Sequence, residues 1–408
     1  MRYVILLAAV IIQVCLGGIY AWSTFVPYLV DDVDLTVTQT QIVFGLVFGV
    51  FTVSMVFTGR LVERRGPRFV AGSGGLIFGI GYLVASRPDG SFPLMLLGIS
   101  LLAGIGTGAG YVSALTTCMK WFPDRKGLVT GIAMAGFGGG AVLLATVGEA
   151  LLSGGIDVLT LFAAIGLAYG ATIVIASTVL RYPATAPAMV ARTAPTLPRL
   201  VRDPFFLALV LGMFSGTFAG MLVVGNLTPM ALAVDISAVE AAAAVSVFAI
   251  GNAAGRVTWG WIADRTSEWM IPVKLAALAL PLALLVGVSS AAPFVAVSFA
   301  IGFGFGACFV VYAANVAARY GLSAVAAIYP LVFIAYGAAG IAGPPIGGWL
   351  FEQTGSYAPA IVLTCGVVGI GIAGCTWLLR RAQAARPTGY GDDDGRSPLR
   401  GLPEGSDG

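Results

Sequence analysis

Asn252-Ala-Ala-Gly-Arg256 puts a guanidinium inside a stretch that is otherwise apolar enough to cross a bilayer. Arginine keeps its proton and is costly to hold in hydrocarbon, so in such a stretch it is tolerated facing a bundle interior or a polar cavity. Its planar fork can grip a carboxylate through two parallel hydrogen bonds. Asn252 precedes Arg256 by four residues and shares its helix face. Two tyrosines stand at similar depth in other apolar stretches: Tyr111 lies nine residues before Lys120 and Tyr312 seven before Arg319, while Arg256 lies eight before Asp264. With the rise of an α-helix, all three sit roughly 10–14 Å from the charged end of their segments. Amide and phenol groups can donate to the remaining lone pairs of a bound carboxylate, so the set suits a small organic anion. Each member has a second reading. Arg256 can snorkel to the surface or join a loop latch, Tyr111 and Tyr312 can be packing or interfacial aromatics, and Asn252 can bond a neighbouring helix.

The elements that must carry these residues are legible in the composition. The 408 residues are 58% hydrophobic and only 10% charged, with a mean hydropathy of +0.94, which is far more apolar sequence than one soluble core encloses. Apolar runs long enough for the roughly 20 residues of a membrane span recur along the chain, and about twelve are present. They cover 3–29, 40–60, 69–87, 92–119, 126–149 and 157–180, then 204–231, 238–262, 271–289, 293–317, 323–349 and 357–380. The expected architecture is an all-α integral membrane protein. The first run exceeds the about 7–15 apolar residues of a signal peptide and is expected to remain as the first helix.

Basic residues assign the faces. With the N-terminus inside, Arg60, Arg64, Arg65, Arg68, Lys120, Arg265, Lys274 and Arg319 all fall in inner loops, while Arg87 stands alone outside; Asp31, Asp235, Glu149 and Glu352 are among the acids expected on the outer face. This bias predicts two cytoplasmic termini at the cell membrane. The net charge of +3 therefore reflects topology, and no nucleic-acid partner is expected. The chain has no histidine, and Cys15, Cys118, Cys308, Cys365 and Cys375 show no metal-ligand spacing. That excludes histidine-based catalysis and zinc motifs, and no GxxxxGK[ST] loop is present for ATP. Neither an enzyme nor a cofactor or metal is expected. Glycines concentrated in runs 4, 5, 10 and 11 are expected to let helices approach closely.

The chain also repeats itself. Gly59-Arg60-Leu61-Val62-Glu63-Arg64-Arg65-Gly66 follows the second run, and Gly260-Trp261-Ile262-Ala263-Asp264-Arg265 follows the eighth, each with an acid four residues after the glycine and then a base. Copies about two hundred residues apart fit a duplicated six-helix unit. The expected organisation is an N-terminal bundle over 1–180, a cytoplasmic linker over 181–203, a C-terminal bundle over 204–380 and a disordered tail over 381–408.

On these residues the chain resembles the major facilitator superfamily, whose loop motif is written G-x-x-x-D-R/K-x-G-R-R. Glu63 replaces the aspartate in the first copy, and the second is truncated after Arg265. The resemblance implies two pseudo-symmetric six-helix bundles and an inner-face gate formed by Gly59, Glu63, Arg64 and Gly66 with Asp264 and Arg265; a solvated turn with topogenic charges is the other reading. Gly18-Ile19-Tyr20-Ala21-Trp22-Ser23, Lys120-Trp121-Phe122-Pro123-Asp124-Arg125-Lys126-Gly127 and Gly343-Pro344-Pro345-Ile346-Gly347-Gly348 together resemble the oxalate/formate antiporter family and its monocarboxylate transporter relatives. That resemblance implies a small carboxylate as substrate, Arg256 as its contact and Tyr20 in the cavity. Oxalate carriers place a lysine in the eleventh helix where this chain has Tyr336, so one fixed cation remains and a monocarboxylate is favoured over a dianion. The lysine and aspartate linked to proton coupling in animal relatives are also missing, Asn252 standing at the aspartate position.

The expected protein is thus a monomeric secondary carrier of a small monocarboxylate such as lactate, pyruvate or formate, working by alternating access with proton symport or anion exchange. A carrier of another small anion such as oxalate, and a membrane sensor that binds without transporting, are the alternatives.

Overall fold

Twelve helices carry the chain in the computed structural model, which describes residues 1–87, 90–122, 126–183, 197–263, 268–321 and 325–384. They are α1 (Arg2–Asp31), α2 (Val37–Arg65), α3 (Pro67–Ala85), α4 (Phe92–Trp121), α5 (Lys126–Ser153) and α6 (Val158–Ser177), then α7 (Pro204–Leu232), α8 (Ala238–Ala263), α9 (Met270–Leu285), α10 (Ala291–Tyr320), α11 (Val325–Thr354) and α12 (Ala358–Ala384). All but α9 are long and apolar enough to span a bilayer, and α9 is a shorter apolar helix. The expected spans therefore stand, with two local revisions. A 3₁₀ turn, Gly18–Ala21, interrupts α1, and a π segment, Leu96–Ala103, interrupts α4.

Local chemistry sets the helix ends. Thr36 and Gln39 form a reciprocal capping box at the start of α2; Asp157 and Asp203 cap α6 and α7 through their side chains. Such caps satisfy amide groups that a helix start leaves unpaired. Between α2 and α3 the chain reverses on Gly66, whose φ of 83° suits glycine, and Pro67 follows at the first helical position.

Packing repeats with a period of six helices. The pairs α1–α4, α1–α5, α2–α4 and α3–α6 of the first half recur as α7–α10, α7–α11, α8–α10 and α9–α12 in the second. This gives two related bundles, joined along the seams α2–α11, α5–α8 and α1–α7. The duplicated loop motif is the sequence trace of that symmetry.

The tightest pair is α8 with α10. Gly306 lies flat against the backbone of Asn252 and Arg256, and a Cβ there would stand 3.0 Å from Arg256 N and closer still to Asn252 O; Gly255 meets the Phe303 backbone in the same way. Gly306→Ala is expected to wedge the helices apart at the level of Arg256 and to cost roughly 1–3 kcal/mol of overpacking strain. A lowered thermal midpoint of the purified protein relative to wild type checks this, and an unchanged midpoint refutes the close approach.

Two charged residues sit differently from expectation. Lys274 belongs to α9 rather than to an inner loop and is fully buried. Glu149, expected on the outer face, is 5% exposed near the end of α5, where Tyr28 Oη donates to it at 3.1 Å. Neither displacement is visible in a charge count, because a side chain one turn inside a helix end can point either way. The expected linker and tail lie mostly outside the described residues.

Candidate functional site

Arg256 is buried, with 8% of its surface exposed. Its Nε donates to Asn252 Oδ1 at 2.8 Å, the contact expected of residues one turn apart. The guanidinium carbon lies 4.2 Å from the centroid of the Phe309 ring on α10, a cation–π seat that leaves the edge of the fork uncovered. Among the described residues no carboxylate lies within 4 Å of Arg256, and Asn252 Nδ2 is buried without a partner. An arginine held inside the fold, with no carboxylate partner among the described residues and beside an orphaned amide donor, has the chemistry to accept an anion.

Other helices bring phenols toward it. Tyr20 on α1, Tyr111 on α4, and Tyr329 and Tyr336 on α11 all lie within electrostatic reach of Arg256. Tyr20 Oη and Tyr336 Oη are hydrogen-bonded at 2.6 Å, linking the two bundles across the middle of the molecule. Around them pack Phe48, Phe137, Phe305, Phe309 and Phe333, with ring centroids between 5.0 and 6.1 Å from one tyrosine or the other. The result is a cation in an aromatic box whose polar atoms are phenol hydroxyls and one amide. Such a box offers donors without further formal charge.

The structure thus gathers Arg256, Asn252, Tyr111, Tyr20 and Tyr336, but not Tyr312. Distance along a helix from its charged end says nothing about the direction a side chain takes around it. Phe309 faces α8, whereas Tyr312 follows Cys308 by four residues and shares its face toward α7, α9 and α12. There its buried hydroxyl has no hydrogen-bond partner. Tyr329 takes its place near Arg256 and donates to Phe309 O at 3.0 Å. Its signal in the sequence is the spacing of seven from Tyr336, which puts both on one face of α11.

At the basic end, Lys120 bridges Glu63 at 3.0 Å and lies 3.6 Å from the Tyr182 ring centroid. The motif acid therefore pairs with α4 of its own bundle. Gly59 lies close to Val112 and Arg64 is exposed, while Asp264 and Arg265 fall outside the described residues. At the opposite end the bundles are stitched together. Thr38 N and Oγ1 both donate to Glu352 at 2.7 Å, Gln41 Nε2 donates to Gly225 O at 2.8 Å, and the Thr146 and Ser246 hydroxyls meet at 3.3 Å. Among the described residues every hydrogen bond between bundles lies at the level of Tyr20 and Tyr336 or on the Glu352 side of it. Nothing in the sequence marks these contacts, because threonines and glutamines at helix starts look like caps. Two cavities, of about 80 and about 500 Å³, lie elsewhere: one at the Tyr357 end of the second bundle, the other an apolar groove among α7, α11 and α12.

The family model of the Major Facilitator Superfamily matches residues 7–230 and again 209–402. The chain belongs to that superfamily. Like other members it is a multi-pass membrane transporter rather than an enzyme. It is 27% identical over 274 residues to the oxalate:formate antiporter of Oxalobacter formigenes, covering 66% of this chain and 65% of that protein. To monocarboxylate transporter 11 of Homo sapiens it is 28% identical over 356 residues, covering 83% of this chain and 74% of that one. Among solved structures, a bacterial homologue of the human lysosomal transporter Spinster superposes with a TM-score of 0.68 over 94% of this chain and 95% of its own, at 16% identity. That likeness supports the fold.

Proposed function

We propose that this transporter carries a small monocarboxylate by alternating access, with Arg256 as the substrate anchor. The observation that carries the reading is a buried guanidinium that has no carboxylate partner and stands beside the orphaned Nδ2 of Asn252. A bound carboxylate would accept from the free edge of the fork and from Asn252, while Tyr111 and whichever of Tyr20 and Tyr336 does not donate to the other offer donors for its remaining lone pairs or for a 2-hydroxy or 2-oxo group. One fixed cation balances one negative charge, and the surrounding phenyl rings suit a short apolar body. The relatives named for oxalate, formate and monocarboxylates support the same substrate class.

In the conformation described, the bundles are bonded through Glu352 and its neighbours, at the end away from the Lys120–Glu63 pair. The positive-inside rule puts the basic end of the bundles in the cytoplasm at the cell membrane, so the bonds through Glu352 hold the outer side together. The Thr38–Glu352 bonds must break, and the Tyr20–Tyr336 bond must be remade, when the bundles rock the other way. The Glu63, Arg64 and Gly66 turn with Asp264 and Arg265 then closes the inner face.

Uptake of radiolabelled lactate, formate and oxalate into proteoliposomes tests the reading, with internal anion and with an imposed proton gradient as separate drives. Lactate or formate should enter and oxalate should not. Absence of uptake of all three under both drives would remove the carboxylate assignment and leave the superfamily alone. Oxalate entering as well as lactate would overturn the argument from a single cation.

A further inference from the structure

The apolar groove among α7, α11 and α12 lies outside the anion site. Its walls include Leu207, Leu211 and Phe214 on α7, Leu331 and Ala338 on α11, and Leu378 on α12, and it encloses about 500 Å³. On α7 and α11 these residues recur at spacings of three, four or seven, so each wall is one continuous helix face. Leu207 and Ala338 are exposed, which opens the groove to the membrane. Counted from Pro204 and Val325, where α7 and α11 begin, the walls run from roughly 5 to 20 Å above the basic end. That is about the depth of one leaflet in a hydrocarbon core about 30 Å thick. A slot of this length and lining takes an acyl chain.

The mouth of the groove is cationic. On α12, Gly374 lies against Leu211, Leu378 follows four residues later in the groove wall, and Arg381 comes three after that. This spacing carries the groove face of α12 directly to Arg381. The Arg381 guanidinium carbon lies 4.7 Å from the ring centroid of Trp377, an exposed aromatic of the kind that sits at a headgroup boundary. Arg202 stands two residues ahead of α7, at the foot of the opposite wall. Both arginines are exposed, and among the described residues no carboxylate lies within 4 Å of either. Asp203, next to Arg202, is already occupied: Oδ1 accepts from Phe205 N at 2.9 Å and Oδ2 from Tyr320 Oη at 2.6 Å. An apolar slot that ends in two such guanidiniums matches a molecule with an apolar chain and a phosphate at its head.

We propose that this groove is a binding site for an anionic phospholipid of the leaflet at the basic end, with one acyl chain between α7, α11 and α12 and its phosphate on Arg381 and Arg202. The occupant would touch the back of the aromatic box. Ala335 belongs to the groove wall, while its neighbour Tyr336 turns the other way and packs on Phe333 with ring centroids 5.0 Å apart. A chain in the groove therefore braces the segment of α11 that carries Tyr336. Binding itself does not depend on which anion the transporter carries.

The experiment follows the thermal midpoint of the purified full-length protein in detergent as dioleoylphosphatidylglycerol or dioleoylphosphatidylcholine is added. The two lipids share their chains and differ in net charge, and a ligand of the folded state raises the midpoint according to its affinity. Phosphatidylglycerol is expected to reach half its effect at a concentration roughly 25-fold below phosphatidylcholine, about fivefold for each arginine, and Arg381→Gln to remove about fivefold of that difference. Ala338→Trp, which fills the groove from an exposed position, should abolish the rise with either lipid and leave the lipid-free midpoint close to that of wild type. Equal action of the two lipids on wild type overturns the proposal. So does a preference for phosphatidylglycerol that survives Arg381→Gln in full, or a response to lipid that survives Ala338→Trp. A groove filled by a second copy of this chain would give a midpoint that rises with protein concentration and ignores lipid, and that result also overturns it.

Discussion

Arg256→Ala is expected to lower monocarboxylate uptake by at least about 30-fold while leaving the protein folded and inserted. Truncating one partner of a buried, hydrogen-bonded charge pair costs roughly 2–5 kcal/mol, and every 1.4 kcal/mol is about a factor of ten. The loss to the apo protein is small by comparison, since Arg256 makes one side-chain hydrogen bond, to Asn252, and one ring contact, to Phe309. Substrate binding should therefore suffer far more than stability. Arg256→Lys separates charge from geometry: a point charge on a flexible stem keeps attraction but not the bidentate fork, so uptake should return in part with a raised KM. The measurement is initial-rate uptake in proteoliposomes beside a monodispersity check on the purified variant. Normal uptake by a folded Arg256→Ala protein would sink the anchor assignment.

The architecture could be read almost entirely from the chain because membrane spans obey a length rule that needs no tertiary information. The site was harder, and the reason is angular. Counting residues from a charged end gives depth, and Tyr111 and Arg256 do come within reach of each other. It does not give the direction a side chain takes around its helix, which is why Tyr312 was expected beside Arg256 and stands beside Lys274 instead. Asn252 and Arg256 survived because a spacing of four fixes relative phase within one helix. Between helices, phase depends on packing, and here it is set by glycines such as Gly306 that determine which face of α10 meets α8.

Lys274 shows the same limit for charge. A basic residue close to a helix end is read as topogenic, and as evidence of orientation it still counts. What the sequence lacks is the notch over Gly216 that lets the amine turn inward against Cys308. The absence of a mid-span acid or histidine pointed to a carrier without an evident proton group.

Tyr336→Lys is expected to admit oxalate. Tyr336 is buried in the aromatic box, within electrostatic reach of Arg256 and bonded to Tyr20 across the bundle seam. On the proposed reading, a dianion entering the unmodified site meets one fixed cation and leaves one charge uncompensated. A lysine ammonium placed roughly 7 Å from that charge, at an effective dielectric of about 20, contributes about 2 kcal/mol, or roughly 30-fold in affinity. The oxalate-to-lactate uptake ratio should rise by about that factor. Lactate itself should not gain to the same degree, because its single charge is already matched and the added ammonium then carries its own desolvation cost. Tyr336→Phe provides the control: it removes the bond to Tyr20 while keeping the ring, so any rise in oxalate uptake shared by both variants comes from loosening the seam. A rise confined to lysine comes from charge. An unchanged ratio in a Tyr336→Lys protein that still transports lactate would mean that the size and shape of the aromatic box, and not its count of cations, select the substrate.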